Sequence, residues 1–205
     1  VTSDKSSPVQ VGSLTNWSQI TMGSGNALAV KTDGTLWAWG ANDVGELGQG
    51  NLTYRSSPVQ VGSLTTWSKV DKSLNVWGAV KTDGTIWSCG EAANGGLGNG
   101  STTDRSSPVQ IGSLTNWSDI AMGNQWGAAI NTNGNLFTWG LSTSGRNCNI
   151  KRETVSSPVQ VGSLVKWASG SVGSVSQCAI RTDGTLWSWG PNTTGELAQG
   201  NTTGP

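Results

Sequence analysis

The pentapeptide Ser-Ser-Pro-Val-Gln occurs four times, with its prolines at Pro8, Pro58, Pro108 and Pro158, each 50 residues after the last. Around it a longer phrase returns: residues 6–18 (Ser-Ser-Pro-Val-Gln-Val-Gly-Ser-Leu-Thr-Asn-Trp-Ser) reappear almost unchanged at 106–118. A second phrase, Lys-Thr-Asp-Gly-Thr-Leu-Trp-Ala-Trp-Gly at 31–40, has counterparts at 81–90, 131–140 and 181–190. Self-similarity at one fixed period means a supersecondary unit that cannot bury its apolar face alone and must stack on its neighbours. One repeat domain over residues 1–205 is expected, with periods at about 6–55, 56–105, 106–155 and 156–205.

Within a period the pattern predicts short strands. Residues 17–22, 26–32 and 35–39 alternate or are continuously apolar, and Asp33-Gly34 between the second and third is a two-residue turn favouring φ > 0, a strong hairpin signal. Residues 8–11 have the character of a fourth strand, and proline at its start suits an outer edge where a missing N–H is harmless. Alanine at 29, 79, 129 and 179 never varies, which implies close approach by a neighbouring sheet. No segment has a 3.6-residue period. The expected fold is therefore all-β: a propeller of four-stranded antiparallel blades.

Tryptophan carries the core. Ten of the twelve fall at three phases of the repeat: Trp17, Trp67, Trp117 and Trp167; Trp37, Trp87 and Trp187; Trp39, Trp139 and Trp189. Each buried indole removes ~150–250 Å² from water, so residues in register are expected to be buried, with Phe137 and Cys89 as the two substitutes. Cys89, Cys148 and Cys178 stand at unrelated phases and read as buried free thiols.

The repeat carries a family resemblance. The run Gly23-x-x-x-x-Leu-Ala-Val-x-x-Asp-Gly-x-Leu-Trp-x-Trp-Gly, followed by Gly45-Glu-Leu-Gly-x-Gly50, resembles the repeat of the regulator of chromosome condensation family; similar glycine clusters stand at 95–100 and 195–200. The resemblance spans the chain and implies a β-propeller, commonly seven-bladed. The third repeat departs from it in the cluster, reading Gly145-Arg-Asn-Cys-Asn-Ile150. Four repeats are too few for seven blades. A four-bladed ring, a dimeric eight-bladed ring and an arc of a longer, multi-repeat array all stay open; the start at Val1 rather than Met favours a longer parent.

Composition narrows function. There is no histidine, which removes histidine bases, histidine–metal ligation and a Ser–His–Asp triad. Twelve acids balance twelve bases, and no basic stripe suits a phosphate backbone; the densest cluster, Arg146, Lys151 and Arg152, reads as a solvated loop. No catalytic residue, metal site, cofactor, nucleic-acid partner or membrane insertion is expected. Asp33, Asp83 and Asp183 are explained by their turns.

The repeats differ most in two connections, residues 24–27 and 41–54 and their equivalents, which alternation of a meander puts on one end of the blade. The invariant Thr-Asp-Gly turns and Gly-Ser-Leu-Thr connections belong to the other. Variable loops on a rigid scaffold are where specificity is written. The candidate partner-binding residues are Asn26, Asn42, Asp43, Tyr54, Leu74, Asn75, Trp77, Gln125, Trp126 and Gln177. The expected role is a non-catalytic binding module or scaffold, not an enzyme. The charge-poor, Asn/Ser/Thr/Gly-rich surface suggests a structural or adhesive part of an extracellular, cell-surface or virion appendage, engaging a protein, a glycan or neighbouring copies. Two alternatives stand beside it: a secreted inhibitor of an enzyme, and a guanine-nucleotide exchange factor for a small GTPase, the role the family resemblance implies. Exchange would call for an acidic or wedge-bearing face, and the sequence alone reveals none.

Overall fold

The computed structural model describes residues 4–145, 147–148, 153–162, 166–173 and 175–202. The Arg146, Lys151 and Arg152 cluster lies outside them. Each period folds as the turn chemistry dictates, and the described residues form four antiparallel sheets. The first contains β1 (Trp17–Met22), β2 (Asn26–Lys31), β3 (Leu36–Gly40) and β4 (Arg55–Gln60). The second contains β5 (Trp67–Ser73), β6 (Val76–Lys81), β7 (Ile86–Gly90) and β8 (Arg105–Gln110). The third contains β9 (Trp117–Gly123), β10 (Trp126–Asn131), β11 (Leu136–Gly140) and β12 (Val155–Gln160). The fourth has three strands among the described residues: β13 (Trp167–Val172), β14 (Gln177–Arg181) and β15 (Leu186–Trp189).

Each complete sheet takes its outer strand from the Ser-Ser-Pro-Val-Gln of the next period, so a blade straddles two sequence periods. Pro58 sits on that edge strand, where no ladder bond is lost. Residues 8–11, expected as a strand, join none of these sheets.

The sheets stack face to face in chain order through their first and second strands. β6 and β10 are buried along their whole length because a neighbouring blade covers each side; β2, which meets the second sheet on one side, is equally buried between its own neighbouring strands. Leu28, Val30 and Leu36 of the first sheet meet Trp67, Trp77 and Ala79 of the second, and Val80 and Ile86 of the second meet Ile120, Met122 and Trp139 of the third. All four invariant alanines are buried; Ala79, Ala129 and Ala179 lie at these contacts, and Ala29 on the other face of the first sheet.

The expectation of uniformly buried aromatics is corrected at one phase and at the ends. Trp67, Trp117, Trp167, Trp139 and Cys89 are buried, but Trp37, Trp87 and Phe137 are half-buried and Trp187 is exposed. The half-buried indoles lie under a lysine: Lys31 Nζ is 3.8 Å from the Trp37 ring centre and Lys81 Nζ 3.7 Å from that of Trp87. Trp37 and Trp87 also have outer-strand residues, Gln60 and Gln110, opposite them in register, whereas Trp187 pairs with no outer strand among the described residues. Trp17 and Trp39, on the first sheet, are half-buried. The thiols are all free, yet only Cys89 is buried; Cys148 is half-buried and Cys178 exposed, on the face of the fourth sheet that no blade covers.

Candidate functional site

The two variable connections do share one end of the blades. Ala41 N–H donates to Gly25 O at 3.0 Å, and Glu91 N–H to Asn75 O at 3.0 Å, tying the loop after the third strand to the loop between the first and second. At the opposite end the constant turns clasp the following blade: Trp67 N–H donates to Gly34 O, Trp117 N–H to Gly84 O and Trp167 N–H to Gly134 O. The loop end is therefore the candidate binding face, held by a rigid lower end.

Half of the candidate residues are not on its surface. Asn26 is buried, its amide donating to Glu46 Oε1 and to Ala41 O, both at 3.1 Å. Glu46 is itself buried and accepts from Val44 N–H at 2.9 Å, so the pair organises the loop instead of meeting a partner. Asn42 is fully buried inside its own loop: Oδ1 accepts from Leu47 N–H at 2.8 Å and Nδ2 donates to Asn51 O and Thr53 O. Trp77 and Trp126 are completely buried, and Gln177 is buried on β14. Their loop-like positions in the sequence misled because β6, β10 and β14 begin at or just before them and point them between sheets.

Asp43, Tyr54, Leu74, Asn75 and Gln125 do reach the surface. Tyr54 Oη donates to Asp43 Oδ1, a bond that pushes the Tyr54 phenol above its ordinary range because ionisation would give up the donated proton, and would also place two anions together. Leu74 is 40% exposed at φ 37°, a left-handed conformation unusual for a leucine. It is held there by Lys72, whose ammonium donates to Leu74 O at 2.7 Å from a buried position; burial lowers this lysine to about 8. Backbone held in a sparsely populated region at an exposed loop tip is a common feature of recognition loops. Gln125, at φ 65°, accepts from Asn94 of the second sheet at 2.8 Å, so adjacent loops are latched across the face. Asn94 and Glu46 escaped the sequence reading; their partners lie 31 and 20 residues away, beyond any local pattern.

Among the described residues no group of three His, Cys, Asp or Glu side chains gathers. No helix among them is long and apolar enough to cross a membrane. What the face offers is shape: exposed apolar side chains (Leu74, and Leu52 of the first loop set), an aromatic–acid pair and amide groups.

A family model for the regulator of chromosome condensation (RCC1) repeat matches residues 33–71 and 83–130, and a second model of the same description matches residues 17–46. The chain belongs to the RCC1 repeat family. Among solved structures it is similar to human WBSCR16, with 20% identity and a TM-score of 0.81 over 92% of this chain and 51% of that one. It is also similar to Prp20p of Saccharomyces cerevisiae, described with its binding properties to Gsp1p and histones: 20% identity, TM-score 0.79, 95% of this chain and 50% of that one. The same yeast protein bound to Kap60 matches with 20% identity and a TM-score of 0.74, covering 90% and 46%. No curated protein sequence matches. The chain thus spans about half the length of these propellers.

These findings correct the expected role and location. Membership of the RCC1 family and likeness to Prp20p, a protein described by binding Gsp1p and histones, overturn the reading as a structural or adhesive part of an extracellular, cell-surface or virion appendage. The secreted inhibitor falls with that location, and a glycan partner finds no support. The surface composition that suggested it reflects loops rich in Asn, Ser and Thr, whose amides are largely spent on loop-internal hydrogen bonds such as those of Asn42 and Asn51.

Proposed function

We propose that the chain is a GTPase-engaging arc of an RCC1-type propeller, acting as or within a guanine-nucleotide exchange factor for a small GTPase. The observation that carries this reading is the family membership itself, together with a shared arrangement of blades over 95% of the chain with Prp20p, which binds Gsp1p and histones. Exchange needs no covalent chemistry: a partner surface that fits the nucleotide-free GTPase better than the loaded one lowers nucleotide affinity by the same factor. A chain without histidine or clustered acids suits such a role, in which it is not an enzyme of bond-making or bond-breaking.

The contact face in this reading is the loop end, with Leu74 as the wedge that the sequence alone did not reveal and Asp43, Tyr54, Asn75 and Gln125 around it. The test is release of a fluorescent GDP analogue from a panel of small GTPases, with and without the purified chain. Acceleration for one GTPase, reduced at least tenfold by Leu74→Asp with folding intact, supports the reading. Absence of both acceleration and binding across the panel overturns it.

A further inference from the structure

A cavity of about 500 Å³ lies in the seam between the first two sheets, and none of the loop-tip residues forms its walls. Both sheets that bound it have all four strands. The glycine-rich turn at 48–50 and the constant connection after β4 make one side. The second sheet makes the other, with Trp67 on β5, Trp87 on β7 and Pro108 on β8. The volume falls within the ~300–1,000 Å³ of small-ligand and side-chain pockets.

Its chemistry selects a neutral occupant. No charged residue lines it among the described residues, so an ion entering it would lose water and gain no counter-charge. Leu64, 45% exposed, and the half-buried Trp87 and Pro108 supply apolar surface. Two polar groups in the lining are unspent: among the described residues the Gln60 amide and the Ser107 hydroxyl have no hydrogen-bond partner. This seam differs in that respect from the later ones. The equivalent amides of Gln110 and Gln160 donate to Gly112 O at 3.2 Å and Gly162 O at 3.0 Å, and Phe137 stands in the third sheet where the second has Trp87.

The protein itself shows what backbone fits this wall. Pro108 Cδ would lie 3.6 Å from a Cβ placed on Gly48, and Ser107 Oγ 3.4 Å from one on Gly50. Gly50 N–H donates to Ser106 O at 2.6 Å. An extended, proline-bearing strand therefore rests directly on the glycine turn and surrenders a carbonyl to it.

We propose that this cavity binds a proline-rich segment of another protein in the polyproline II conformation. Such a segment is neutral, presents flat apolar rings, and offers carbonyl acceptors with no N–H at its prolines. Its rings stack on Trp87 and Leu64, and the Gln60 amide and Ser107 hydroxyl donate to its carbonyls. A site with unspent donors and no charge is matched to a ligand of acceptors and no charge. The helix is preformed, so little ordering entropy opposes docking in a cavity of this size. The site shares no residue with the loop face and stands independently of the exchange reading.

Calorimetric titration of the purified 205-residue chain with a capped oligoproline of about ten residues tests this. Saturable binding is expected, with none for a Gly/Ser peptide of equal length. Gln60→Ala and Leu64→Asp are each expected to weaken binding by about tenfold or more with an unchanged circular dichroism spectrum, since Gln60 makes no side-chain bond and Leu64 is exposed. Gln110→Ala, at the seam whose amide is already spent, is expected to leave affinity unchanged. Failure of oligoproline to bind, equal binding of the Gly/Ser peptide, wild-type affinity in either cavity variant, or an equal loss in Gln110→Ala would each overturn the assignment. So would binding of N-acetyltryptophanamide in place of oligoproline, which would give the cavity to a single aromatic side chain.

Discussion

Trp77 and Cys89 face one another across β6 and β7, and together they exchange the sizes found in the other sheets. The corresponding pairs are Ala27 with Trp39, Gly127 with Trp139 and Gln177 with Trp189, each with its indole on the third strand. In the second sheet the indole comes from the second strand instead, and its N–H reaches the equivalent turn carbonyl: Trp77 donates to Glu46 O at 2.8 Å, Trp139 to Gly96 O at 3.0 Å. Cys89 fills the small position and directs its thiol to Arg105 O at 2.9 Å, where burial holds it far above the usual thiol range.

This reciprocity predicts coupling. Trp77→Ala removes a fully buried indole and a bond between blades, and is expected to cost ~3–5 kcal/mol. Adding Cys89→Trp restores the Ala–Trp arrangement of the first sheet, so the double variant is expected to recover ~1–3 kcal/mol of that loss. Urea unfolding of the two singles and the double measures it. Additive losses would mean that the two sites do not share one space.

Identical turns are expected to respond differently to the same substitution. Gly34 and Gly184 have φ 77° and 84°, so alanine at either is strained by ~1–2 kcal/mol. A Cβ on Gly34 would also overlap the carbonyl of Thr65, which leads into the next blade, while one on Gly184 meets nothing within 4 Å. Gly34→Ala should therefore lower the melting temperature clearly more than Gly184→Ala. Equal shifts would show that the turn, and not its clasp on the next blade, sets the cost.

How far the sequence could be read follows from the range of the forces involved. The Asp33-Gly34 turn and the tryptophan phases are local signals repeated in each period, and the strands beside them came out within a residue or two. Which polar residues face outward was not local. Asn26 and Asp43 look equally like loop residues, yet Asn26 is buried because Glu46, 20 residues on, supplies its partner. Trp77 and Trp126 looked out of register because size compensation across a strand pair, or an indole between sheets, is visible only once the strands are paired. Leu74 was legible as a variable position, but its left-handed backbone depends on a buried ammonium beneath it.

That ammonium gives a prediction about pH. Lys72 is lowered to about 8 chiefly by burial, so its charged form is disfavoured in the fold. With the folded value below the unfolded one, the unfolded chain holds more protons between about 8 and 10.5, and this residue's contribution to stability rises with pH across that window. Met122 occupies the equivalent position in the third sheet. Lys72→Met should leave stability at neutral pH unchanged or higher and flatten the profile between those values. It should also release the Leu74 carbonyl and so loosen the loop tip, read as faster amide exchange at residues 73–75.

Acid stability should rest on the turn aspartates. Asp83 Oδ1 accepts from Thr85 Oγ1 at 2.6 Å and from Thr85 N–H at 3.0 Å, and Thr85 Oγ1 in turn accepts from the Trp87 indole at 2.9 Å. Asp33 heads the same relay to Trp37 through Thr35. The threonine hydroxyl bond, followed by the backbone bond, holds both carboxyls below their ordinary value. A depressed carboxylate stabilises the fold above the unfolded value of 3.8, and that contribution disappears as pH falls through the folded value. The double variant Asp33→Asn/Asp83→Asn is therefore expected to be less stable than wild type at neutral pH, with the gap closing on acidification. Asp183→Asn should change less, because Thr185 and Trp187 at the end of its relay are exposed. Unfolding curves collected from neutral pH down to below the carboxylate range measure the gap. A gap that stays constant with pH would show that the aspartates act only as turn formers, as Asn133 does in the third repeat.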